Sequence, residues 1–149
     1  MKPMKSMNNF YYFLAGCVFI LYTIGHVYQG EVTAFAFAEN SGLAAPSASI
    51  LFYVWHVGTV SLLMYAAAFF VFAYARRPAA TVMAAWLILA LTTGQLLVFI
   101  ASFVYIQPEA LYGLVPPVVT WVATIYLQYL GISEARSYEW SETINAPEE

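Results

Sequence analysis

Charge is almost absent from the body of this chain. From Ser6 to Ser133 only Glu31, Glu39, Arg76, Arg77 and Glu109 are charged, and they leave four uncharged stretches, residues 6–30, 40–75, 78–108 and 110–133. A helix crosses a bilayer with roughly 20 apolar residues, so every one of these stretches is long enough. Of the 149 residues 62% are hydrophobic and 9% charged. An ordinary soluble domain carries about 25% charged residues. Such a chain cannot face water on all sides, which excludes a soluble enzyme, a disordered chain and a disulfide scaffold.

The pattern predicts an all-α polytopic membrane protein of four antiparallel transmembrane helices over residues 1–133, followed by an acidic tail, 134–149. The expected spans are about 9–29, 49–75, 79–105 and 116–131. Gly30 ends the first, and Ser47 or Ser49 caps the second after Pro46. Arg76, Arg77 and Pro78 make a tight turn between the second and third. The Gln107–Pro108 pair stops the third, and Pro116–Pro117 suits the first turn of the fourth. Residues 109–115 form a separate short turn. The tail, with Glu134, Glu139, Glu142, Glu148 and Glu149 against Arg136 alone, is expected to be solvated and frayed. The apolar run Phe10–Tyr28 is longer than a signal-peptide core and lacks a small-residue cleavage site, so it is expected to be a retained helix.

Lys2, Lys5, Arg76, Arg77 and Arg136 all fall on one side of a four-span arrangement, and the other side has only Glu31, Glu39 and Glu109. The positive-inside rule then places both termini in the cytoplasm, with the bacterial inner membrane as the expected location. The 29–49 connection is too apolar for a free loop. If it is extended, Phe35 and Phe37 share one side. It either lies on the outer membrane interface or closes over an outward-facing pocket rimmed by Glu31 and Glu39.

Polar residues inside the spans are the informative ones, because ionisable groups are costly there. His26 and His56 are the two histidines of the chain. Counting from the inner ends of their spans at 1.5 Å per residue, His26 lies at roughly 26 Å and His56 at roughly 28 Å, with Gln95 at roughly 24 Å. Three hydrogen-bonding side chains from three helices thus share an outer layer. Gly25, Gly58 and Gly94 adjoin them and would let a helix or a flat ligand approach. Tyr28, Tyr53, Trp55, Tyr105 and Tyr112 fit an interfacial aromatic belt.

Three readings of the histidine pair stay open: a site for haem b or a transition-metal ion, with His26 and His56 as ligands and Gln95 bordering it; a site for protons or a small molecule; or hydrogen bonds that lock the bundle. Other chemistry is set aside. The chain has no Asp, and every Glu lies outside the uncharged spans, so an intramembrane carboxylate relay or a Ser/His/Asp constellation is not expected. Cys17, the single cysteine, lies near the inner face and packs as a small hydrophobe. No phosphate loop or basic patch is present, and no nucleic-acid partner is expected.

The Gly25–His26 end of the first span and the Trp55–His56 start of the second resemble small bacterial four-helix integral membrane proteins of uncharacterised function. Over residues 10–131 that resemblance implies the four-span architecture and no particular activity. The expected role is binding or accessory rather than catalytic, the partners being the lipid bilayer and a homo-oligomer or larger membrane complex. The alternative is a non-catalytic structural subunit whose histidines serve helix packing.

Overall fold

A bilayer offers the backbone no water to bond, so a chain of this composition must satisfy its N–H and C=O groups within its own helices. The computed structural model describes residues 7–106 and 108–144, and there is no strand among them. Helix α1 spans Phe10–Gln29 and runs through a π-helical turn, Gly30–Phe35, into α2, Ala36–Asn40. Helix α3 spans Ala45–Ala73, α4 Val82–Ile106 after a 3-10 turn at Pro78–Thr81, and α5 Val115–Ile144 after a 3-10 turn at Pro108–Leu114. The segments Phe10–Asn40, Ala45–Ala73, Pro78–Ile106 and Tyr112–Tyr138 are long and apolar enough to cross a membrane. Their large apolar side chains are widely exposed, among them Leu21, Tyr53, Val71, Met83 and Val98, as a lipid-facing surface requires.

Several boundaries differ from expectation for local reasons. Helix α1 ends before Gly30, but the chain does not leave the helical path there: a π-helical turn and α2 carry it on to Asn40. The break comes at Gly42, whose φ of +67° is the left-handed conformation that glycine adopts freely. Helix α3 begins at Ala45, ahead of both candidate cap serines. Ser49 instead donates from Oγ to the Ala45 carbonyl at 3.0 Å, and Pro46 occupies the first turn, where no N–H is needed. Helix α5 starts beside Pro116–Pro117 and does not end near Gly131. It carries on through the charged segment to Ile144, anchored by the buried side chains of Ile132 and Ala135.

The described residues fall into two compact units, Gly16–Ala68 on the one hand and Met1–Ala15 with Phe69–Glu149 on the other. In the second unit Asn9 holds three elements. Its Oδ1 accepts from the Tyr12 backbone N–H at 2.9 Å, the N-cap bond of α1. Its Nδ2 donates to the Gly131 carbonyl of α5 at 2.7 Å. Its backbone N–H, with that of Asn8 at 2.8 Å, reaches the Ala73 carbonyl at the end of α3, where the helix leaves carbonyls without partners. The Tyr12 ring then packs on Phe69 and Phe72, with centroids 5.4 and 5.8 Å away, and lies so close to Gly131 that a Cβ there would overlap it.

Replacing Asn9 by Ala removes the cap and the α5 tie together, so the protein should lose about 1–3 kcal/mol of stability. Asn9→Asp keeps the cap acceptor but sets a buried carboxylate oxygen against the Gly131 carbonyl, and should destabilise at least as much as Asn9→Ala. Thermal unfolding in detergent checks the order; an Asn9→Ala protein as stable as the parent would show the tie to be idle.

Candidate functional site

The unit Gly16–Ala68 carries both histidines. On α1, His26 lies face to face with Trp55 of α3, ring centroids 4.3 Å apart and planes 6° from parallel. The two residues also exchange backbone bonds. His26 Nε2 is 3.1 Å from the Trp55 carbonyl; a carbonyl only accepts, so Nε2 carries the proton. In return the indole Nε1–H donates to the His26 carbonyl at 3.1 Å. Thr59, one turn on, donates to the same Trp55 carbonyl at 3.2 Å.

Glycines make room for this pair. A Cβ at Gly58 would lie 3.1 Å from His26 Nε2, and one at Gly30 would run into the Trp55 indole. Gly58 was expected to allow close approach and does. Gly25 and Gly94 face open space, and the glycine that matters beside Gly58 is Gly30, buried at the head of the π-helical turn.

His56 follows Trp55 directly, and one residue along an α-helix is a rotation of about 100°. Its ring therefore turns to other partners. Nδ1–H donates to the Phe52 carbonyl at 2.9 Å, and the imidazole packs on Phe52, centroids 4.0 Å apart, and stacks on Phe35 at 5.8 Å. Phe35 in turn meets Trp55 at 6.1 Å. The two imidazoles thus belong to one aromatic cluster, joined through Trp55 and Phe35, and neither has the other as a ring or hydrogen-bond partner. With Nδ1–H given to the Phe52 carbonyl, His56 Nε2 forms no hydrogen bond among the described residues.

Phe35 and Phe52 also line a cleft of about 400 Å³, together with Glu31, Ala38, Glu39, Leu43 and Ala48. The 29–49 segment builds it, as a helix rather than an extended strap: the turn of α2 faces the first turns of α3, and Glu31 and Glu39 lie exposed on the rim. The side chain of Phe37 lies outside the described residues. Chemically the cleft combines two carboxylates and two phenyl rings, a set suited to a cation.

Gln95 is half-buried on α4, in the unit of Phe69–Glu149. Among the described residues no three His, Cys, Asp or Glu side chains gather as a metal centre. A haem held by two imidazoles, or an ion held by both, requires their ring nitrogens to aim at one point; here His26 Nε2 is engaged by Trp55, and His56 faces Phe35 and Phe52.

A second polar group had little signal in the sequence. Asn9, Tyr12, Thr92, Thr124 and Gln128 are buried in the unit of Phe69–Glu149. Among the described residues both polar atoms of the Gln128 amide lack a hydrogen-bond partner, as do the Tyr12 hydroxyl and Glu134 Oε2. Tyr12 is directed toward Thr81 and Glu134 without a well-formed bond. The helical spacing 124, 128, 131, 132 and 135 marks this buried face, and it runs on into the segment whose charges resemble a tail.

No family model, curated protein or solved structure matches this chain, so the site is read from its own geometry. The close packing of Gly30 under Trp55 gives a direct check. Gly30→Ala should cost roughly 1–3 kcal/mol, the usual effect of overpacking. Gly25→Ala meets nothing and should be neutral or stabilise by up to about 1 kcal/mol through helix propensity. Equal melting temperatures for the two variants would contradict the His26–Trp55 geometry.

Proposed function

We propose that the chain is an integral protein of the bacterial inner membrane, with both termini in the cytoplasm, that binds a small cationic ligand at its outer end beside His56. The observation that carries this reading is the sharing of Phe35 and Phe52 between the cleft and the His56 ring. The rim carboxylates Glu31 and Glu39 supply charge complementarity, and the phenyl faces supply cation–π attraction. The orientation rests on the distribution of Lys2, Lys5, Arg76, Arg77 and Arg136, and it places the 29–49 segment on the outer side. The role is binding or accessory, with no catalytic group assigned.

The His26–Trp55 lock favours a second reading, a structural subunit of a larger membrane complex or homo-oligomer, in which His26 fixes α1 against α3. Haem b or a transition ion held by His26 and His56 would require both rings to leave their present partners.

Reporters at the C-terminus and in the Arg76–Pro78 turn should mark the cytoplasm, and one near Ser41 the opposite side; a shared side for Ser41 and the C-terminus defeats the four-span orientation. Titration of the purified protein with tetramethylammonium, followed by tryptophan fluorescence, tests the site. Phe52→Leu should weaken binding about two- to fivefold, the worth of one exposed cation–π contact. No saturable binding by the parent protein would favour the structural subunit, and a visible absorption band or bound metal lost in His56→Ala would assign the cofactor site.

A further inference from the structure

In the second half of α5 a separate cleft of about 170 Å³ opens between α4 and α5, lined by Trp86, Tyr129, Ile132, Ser133 and Arg136. It draws on a different unit from the histidine cluster and serves neither the cleft at Phe35 nor the packing of Asn9. Its composition is divided. Trp86 and Tyr129 stand edge to face at 6.3 Å and, with Ile132, make an apolar wall. Ser133 and Arg136, exposed on the next turn, add a hydroxyl and a permanent cation. Arg136 has no carboxylate within ion-pair distance among the described residues; Ser137, beside it, turns its own hydroxyl to the Glu134 carbonyl at 2.7 Å.

Position decides what such a cleft suits. Tyr112–Tyr138 is the fourth membrane-crossing segment, so Ser133 and Arg136 lie in its last turns, at the level of lipid headgroups. Trp and Tyr are the residues that settle at that level. Around Trp86 the surface of α4 is apolar and exposed at Met83 and Leu87, which is where acyl chains would lie. We propose that this cleft seats the phosphate headgroup of an anionic phospholipid, the phosphate oxygens accepting from the Arg136 guanidinium and the Ser133 hydroxyl and the glycerol and upper acyl carbons lying against Trp86, Tyr129 and Ile132. A guanidinium presents a planar fork of donors that matches phosphate. Free inorganic phosphate shares the polar half of that chemistry and lacks the part that would use the apolar wall. An anionic lipid is therefore the occupant that fits the whole cleft.

Native mass spectrometry of the full chain in detergent, with added phosphatidylglycerol or phosphatidylcholine of equal chain length, reads the site directly. The parent should retain phosphatidylglycerol more tightly, and Arg136→Gln should reduce that preference about fivefold, the effect of one basic side chain at an anionic surface. Arg77→Gln changes the net charge equally without touching the cleft and should leave the preference in place. Inorganic phosphate in large excess should not displace the lipid. Equal loss in the Arg77 and Arg136 variants would reduce the effect to general surface charge and overturn the site. Displacement by phosphate would make it a free-anion site, and no preference in the parent would remove it. Because Arg136 is exposed, Arg136→Gln is expected to fold; should it not, Trp86→Leu, which keeps all charges and removes the apolar wall, should weaken lipid retention while leaving phosphate without effect, and unchanged retention there would equally overturn the proposal.

Discussion

In hydrocarbon a polar group without a partner costs far more than in water, and this governs side chains as firmly as backbone. The hydroxyls of the long helices answer it locally. Thr23 donates to Phe19, Ser61 to Val57, Thr92 to Ile88, Thr93 to Leu89 and Thr124 to Thr120, each to a carbonyl one turn back. Such back-bonding lets an apolar helix carry Ser and Thr at little cost. It also makes them poor evidence of function. What remains informative are side chains that leave their own helix: Asn8 on the Ala75 carbonyl just past α3, Asn9 on the Gly131 carbonyl of α5, and His26 with Trp55.

The same rule gives Gln128 its interest. Fully buried, with both amide atoms unpartnered among the described residues, it stands on the face of α5 that also holds Thr124, Gly131, Ile132 and Ala135. Asn9 binds the carbonyl of Gly131 on that face, and Tyr12 covers its bare Cα. Polar groups thus enter the core of this unit next to a bond that positions α1, α3 and α5 together. That bond, more than the amide of Gln128, has a defined structural consequence.

The four apolar helices were legible because charge is so scarce that Glu31, Arg76–Arg77 and Glu109 act as punctuation. The Arg76–Pro78 turn and the start of α5 at Pro116–Pro117 followed from proline, which fixes φ and needs no N–H. The 29–49 segment was legible as apolar but not as helical. Gly30 resembled a stop, whereas its lack of a side chain serves the Trp55 indole, information that resides on another helix. The tail misled in the opposite way: Glu134, Arg136 and Glu139 resemble solvated chain, yet the apolar spacing from Thr124 to Ala135 keeps the helix going. For the histidines, spacing along the helix was readable and direction around it was not.

Direction is what separates the roles of the two imidazoles. Trp55 and His56 are neighbours in sequence, and the helix turns them about 100° apart, so the residue that faces α1 cannot also bring His56 there. Trp55 takes His26, with Gly58 and Gly30 supplying the space. His56 is left to the side that the π-helical turn approaches. A π turn closes its bonds one residue later than an α turn and is wider; between Gly30 and Phe35 it brings Phe35 onto both Trp55 and His56. One phenyl ring therefore touches the helix lock, the open histidine and the cleft wall. Moving Phe35 to admit a ligand would disturb its contact with Trp55, and loosening Trp55 would alter the cleft. The polar chemistry beside His56 is in this way tied to the packing of α1 on α3 through Phe35, which stacks on His56 and meets the Trp55 that His26 holds.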